Sequence, residues 1–213
     1  MRANLLIGAV LVVVLAAPGV VQASSIIYST FGSGNSYKLM EWGIDGTSTS
    51  NPEAMAVSFS PPSNYLFNSA SFAFATDISI ASEQFLVALT NSSSGRPGST
   101  IESFSVTVSG SSGAIYTVSS LLNPQLVSGT TYWLTVSPST ASFLGGWFAN
   151  NQGITGFAAS DLTNGYTVVS GSGWTTPAYS VSGTLSGGQV PEPASLLLLG
   201  AGLAALAAWR RKK

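Results

Sequence analysis

Hydrophobic and polar positions fall into three regimes along this chain. Across residues 24–189 they form short runs separated by turn residues, and at each end they give way to an unbroken apolar stretch. The short runs are 25–31, 37–44, 54–59, 66–75, 84–89, 104–108, 115–118, 131–136, 146–149, 166–169 and 179–185. Residues 104–108, Phe-Ser-Val-Thr-Val, alternate cleanly, as a strand with one buried face requires. Phe72 and Phe74 lie two apart and share a strand face. Residues 84–89, Gln-Phe-Leu-Val-Ala-Leu, form a run of buried character. Gly, Ser, Asn and Pro clusters separate the runs, among them 32–35, 61–64, 91–98, 110–113 and 150–153. About ten short strands at this spacing predict an all-β fold, an antiparallel β-sandwich that is jelly-roll-like.

The two ends follow a different logic. Residues 1–23 have Arg2 as a positive start, an apolar core over 5–17, and the breakers Pro18 and Gly19. Val21-Gln22-Ala23 then places small residues where a signal peptidase reads, so cleavage is expected between Ala23 and Ser24. At the other end, Pro191-Glu192-Pro193 precedes sixteen uncharged residues, 194–209, and the terminal Arg210-Arg211-Lys212-Lys213. The prolines fix two backbone angles and remove two donors, and Pro193 suits the first helical position. As a helix, 194–209 spans about 24 Å, short against a core of about 30 Å, and snorkelling basic side chains cover the gap. The four basic residues predict a cytoplasmic C-terminus with the body outside. The expected domains are therefore a signal peptide, 1–23, a β-sandwich, 24–189, and a C-terminal sorting segment, 190–213, containing a single transmembrane helix.

Charge and composition narrow the chemistry. The chain has 213 residues, no cysteine and no histidine. Disulfides, thiolate metal sites, a Cys nucleophile and a Ser-His-acid triad are all excluded. Between the ends lie two basic residues, Lys38 and Arg96, and seven acids, a formal net of −5. Such a body cannot neutralise a phosphate backbone, so no nucleic-acid partner is expected. Glu41 with Asp45, or Glu83 with Glu102, could supply the carboxylate pair of a glycan-active enzyme, although solvated surface acids are the simpler reading. The expectation is a protein without enzymatic activity and without a cofactor. Calcium is the alternative, with Asp45, Asn51, Asp77 and Asp161 near turns, although no twelve-residue calcium loop is present. Exposed aromatics could pack on pyranose faces, which makes Trp42, Trp174 and Tyr166 candidate sugar contacts. Tyr28, Tyr37, Tyr65 and Tyr179 belong to the same wider set. Trp133 and Trp147 are expected in the sandwich core.

Two resemblances add to this. Leu66-Phe67-Asn68-Ser69-Ala70-Ser71-Phe72-Ala73-Phe74, Phe85 to Thr90 with the loop Ser94-Gly95-Arg96-Pro97-Gly98-Ser99, Gly129 to Val136, and Gly145-Gly146-Trp147 occur in that order. Over 66–153 the body resembles the choice-of-anchor group of secreted bacterial β-sandwich modules, subtype R, which implies surface display rather than a reaction. Pro191-Glu192-Pro193, the apolar helix and the basic end together are similar to the PEP-CTERM sorting signal. That resemblance implies an exosortase as partner, after signal peptidase and the export machinery. It implies residence at the inner membrane of a Gram-negative bacterium and then sorting to the cell surface or matrix. It also places the protein beside exopolysaccharide. The expected role is structural, in biofilm or matrix, with carbohydrate binding as the alternative.

Overall fold

The computed structural model describes residues 23–39, 41–77, 82–156, 158–160, 167–169 and 175–187. Residues 23–189 form one compact unit, and 1–22 with 190–213 fall outside it. The expected leader and the expected transmembrane helix therefore lie outside the described residues.

The body is all-β. In chain order its strands are β1 (Ser25–Ser29), β2 (Glu41–Asp45), β3 (Met55–Phe59), β4 (Tyr65–Thr76), β5 (Ser82–Ser93), β6 (Arg96–Ser109), β7 (Ala114–Ser119), β8 (Gln125–Leu126), β9 (Tyr132–Pro138), β10 (Leu144–Phe148), β11 (Ala158–Ser160), β12 (Thr167–Val169) and β13 (Tyr179–Leu185). Every pairing among them is antiparallel. One sheet runs β1-β13-β4-β10-β2, with β7 and β8 also paired to β4; the other runs β12-β11-β3-β9-β5-β6.

Alternation, reset in β4 by a bulge at Asn68, decides which side chains meet between the sheets. From one sheet come Phe67, Phe72, Phe74, Trp147, Tyr179 and Val181, and from the other Val57, Phe85, Leu89, Val106, Leu134 and Val136. Phe74 stacks on Phe85 with ring centroids 4.4 Å apart and meets Trp147 edge-on at 5.7 Å. Each such ring contributes about 1.5–3 kcal/mol by leaving water. A second, smaller cluster covers the far side of β4. Ala73 and Ala75 pack there with Phe148 and Ala178, and Phe31 and Tyr37 close over them. Tyr37 stacks on Phe148 at 5.3 Å, so residues 30–38 act as a flap on the outer face of the first sheet.

Three details differ from the sequence reading. Residues 91–98 are not one long turn: β5 and β6 run on to a two-residue turn at Ser94 and Gly95, both with positive φ (52° and 74°). That geometry matches the right-handed twist of the flanking strands, and Arg96 opens β6. Leu86 is 44% exposed, so 84–89 is not buried on both faces. It lies between Ser105 and Ser137 on the outer surface of the second sheet. Trp133 is buried but stands on the opposite face of β9 from Tyr132 and Leu134, outside the contiguous core between the sheets. Trp147 lies in that core as expected.

Candidate functional site

The residues singled out in the sequence divide sharply. Pro191, Glu192 and Pro193, the basic Arg210, Arg211, Lys212 and Lys213, and the aromatics Trp174 and Tyr166 lie outside the described residues. Ala23 and Ser24 are described, and both are exposed at the start of the body. Trp42 is half-buried against the core, and its indole N–H donates to the Thr175 carbonyl at 3.0 Å.

A cleft of about 470 Å³ opens where β1 and β13 approach the ends of β3, β5 and β9. Four rings line it: Tyr28, Phe59, Trp133 and Tyr179. Hydroxyls surround them, and Ser60 and Thr131 share a hydrogen bond of 3.2 Å at the rim. Tyr28 and Tyr179 stack at 5.4 Å. They come from opposite ends of the chain and meet because β1 pairs with β13, setting Tyr28 beside Val181. The Tyr179 hydroxyl donates to the Ser58 carbonyl at 2.7 Å. Burial first, and then neighbouring Tyr28, push that hydroxyl well above the usual phenol range. It is therefore a fixed donor and no base at neutral pH. The Trp133 N–H donates to Ser92 Oγ at 3.2 Å, with the residue 1% exposed. The ring left open to an incoming molecule is Tyr28, which is only half-buried.

The acids assemble differently from either pair drawn from the sequence. Glu83 pairs across the hairpin with Val108 and Glu102 with Leu89. They are therefore separated by six residues of strand, about 20 Å. Glu41 and Asp45 stand at opposite ends of β2, opposite Phe148 and Leu144, about 13 Å apart along the strand. Asp45 instead meets Glu53, with which it exchanges two backbone hydrogen bonds of 2.9 and 3.0 Å. A methyl group placed on Gly43 would touch both carboxylates at 3.4 Å, so the two groups share one side of the strand. Burial raises the Asp45 carboxyl above its usual 3.8, partly offset by a hydrogen bond from the Gly145 backbone. Among the described residues no three acids converge on one point.

Glu102 is not a surface acid. It is 7% exposed, and its carboxylate accepts from Ser120 Oγ at 2.6 Å and from the Leu121 and Leu122 amides at 2.8 and 3.2 Å. It caps the turn that leads from β7 to β8. The sequence signal was there in Ser120-Leu121-Leu122-Asn123-Pro124, a turn with free amides, but nothing local names the acid that satisfies them.

The chain enters and leaves this body at one end of one sheet. Ser25 in β1 lies directly opposite Gly183 in β13, the last strand. The first described residues of the body and the end of β13 are therefore neighbours. A comparison with curated proteins returns no match. Residues 189–212 match the model of the PEP-CTERM protein-sorting motif, and the chain therefore carries the C-terminal signal of an exported protein sorted by an exosortase.

Proposed function

We propose that this is a non-catalytic surface or extracellular-matrix protein of a Gram-negative bacterium, retained in biofilm or exopolysaccharide after its tail is removed. The sorting motif at 189–212 carries the reading. In it, signal peptidase cuts between Ala23 and Ser24. The helix 194–209 then holds the precursor in the inner membrane, with Arg210 to Lys213 on the cytoplasmic side. The exosortase acts at Pro191-Glu192-Pro193 and frees the sandwich. The pairing of the first strand with β13 is consistent with this, since it leaves both ends of the described body outside the core. The test is Glu192→Ala in the producing cell. The precursor is expected to stay with the membrane fraction; unchanged release of the body would overturn the reading.

A second reading, binding of a neutral exopolysaccharide, is favoured by the ring-and-hydroxyl cleft around Tyr28. Aromatic faces pack on the apolar faces of pyranose rings, and hydroxyls at the rim can pair with sugar hydroxyls. The net charge of −5 disfavours an anionic polymer. Calorimetry with neutral hexose oligomers is expected to give saturable heat that Tyr28→Ala abolishes; no heat with the unaltered protein would remove this reading. No cofactor is part of either proposal, so a chelator is expected to leave the melting temperature unchanged. A fall in melting temperature restored by calcium would point to Asp45 and the turns near it.

A further inference from the structure

The longest strand among the described residues is also an edge. Among the described residues, β6 pairs with β5 alone and β7 with β4 alone. These two edges face each other across the open side of the sandwich. They are tied at both ends: the Tyr116 hydroxyl exchanges hydrogen bonds of 3.2 Å with the Ser109 backbone, and Glu102 holds residues 120–122. Between the ties runs a groove of about 520 Å³, floored by Phe104, Val106, Tyr116 and Val118.

An unpaired strand edge presents free N–H and C=O groups and invites another strand, so proteins usually guard edges with charge, proline or shortness. The other ends of the two sheet orders follow that rule. β1 has five residues, β12 has three, and β2 has an acid at each end. β6 has fourteen residues, with its guards, Arg96 and Pro97, beside the hairpin turn. Its remaining charge, Glu102, is buried in the turn it caps. Residues 103–109, Ser-Phe-Ser-Val-Thr-Val-Ser, carry no charge, proline or glycine. Such a window has strong strand propensity and no gatekeeper.

We infer that this edge docks a second copy of the same chain, by antiparallel pairing of β6 with β6 about a twofold axis at Ser105. Sequence self-complementarity names the occupant, and the absence of charge in the paired segment permits it. With Ser105 facing itself, Ser103 falls opposite Thr107 and Phe104 opposite Val106. Hydroxyl meets hydroxyl and aromatic meets β-branched side chain on both sides of the axis. A body with a formal net of −5 repels its own copies over most of its surface, but residues 103–107, the segment that pairs with itself about Ser105, bring no charge to the contact. One added strand buries less than a standard interface, so the dimer is weak and depends on concentration. It strengthens with salt, which screens the repulsion elsewhere. A symmetric contact of this kind closes after two copies.

The absence of cysteine makes the test direct. Ser105→Cys in the full chain, held in mild detergent and oxidised, is expected to give a covalent dimer, because residues facing across an antiparallel pair lie within disulfide reach. Ser180→Cys, on the outer face of the other sheet, is expected to stay monomeric under the same oxidation. A mixture of Ser103→Cys and Thr107→Cys chains should cross-link more than either alone, which reads the register. In sedimentation, Ser105→Lys should weaken the dimer about tenfold or more, since two like charges then face each other. Ser105→Thr should keep it. Equal cross-linking at 105 and 180, no cross-linking at 105, or a dimer untouched by Ser105→Lys would each overturn the inference.

Discussion

The sorting tail and the sandwich body meet opposite physical demands. The tail is a one-dimensional signal: a stiff Pro-Glu-Pro hinge, an apolar stretch and a basic end, in that order. Its order and composition are what the sorting-motif match at 189–212 reads. The body is built by residues distant in sequence: β1 pairs with β13, and Phe74 packs on Phe85 across the sheets. Many sequences satisfy such a core, so its pattern specifies architecture while leaving its surface free to vary. Substitutions in the two regions therefore act differently. A change in the tail should alter where the protein goes and leave the fold alone, and a change in the core should do the reverse.

The largest expected effect breaks that comparison in the tail: Glu192→Ala should reduce release from nearly complete to nearly none, with the melting temperature unchanged. In the body, Phe74→Ala removes a fully buried ring that stacks on Phe85 and meets Trp147. It should cost about 3–5 kcal/mol, seen as a lower denaturant midpoint, while any protein that folds is still processed. Next comes Glu102→Ala, which leaves Ser120 and the Leu121 and Leu122 amides without their acceptor. It should cost about 2–3 kcal/mol. Ser105→Lys, on an exposed position of β6, should change monomer stability by less than about 0.5 kcal/mol, so any loss of the dimer is a surface effect.

The smallest effect is a pH dependence. The Asp45 carboxyl is held above its usual 3.8 by burial, so the folded state keeps that proton longer than the unfolded chain does. Stability should therefore be higher below 3.8 than above the raised value as far as this group is concerned, and should fall as pH rises between the two. Asp45→Asn should flatten that part of the profile in melts taken across the acid range. A profile unchanged by the substitution would mean that burial at this position is not felt.

Much of the fold was legible because alternation is a local property. The inward Phe104, Val106 and Val108 of β6 could be read directly. Trp133 was expected in the core, but Tyr132 and Leu134 beside it take the inward face of β9 and leave it on the other. The partnerships were not legible. Whether a strand lies at an edge depends on which others join it, so nothing local distinguishes β6, paired on one side, from β4, which joins β13, β10, β7 and β8. The cleft was hidden for the same reason: Tyr28 and Tyr179 meet only through the pairing of the first and last strands. Glu102 was misread because acids are usually solvated, and its burial depends on a hydroxyl and two amides eighteen to twenty residues away. Asp45 and Glu53 face each other across a short loop, where spacing within one strand had suggested Glu41.

The most direct test of the central claim is the intact mass of the body recovered outside the cell. The expected species begins at Ser24 and ends near Pro191-Glu192-Pro193, with residues 194–213 gone. A released protein that still carries Arg210 to Lys213 would contradict sorting by removal of the tail.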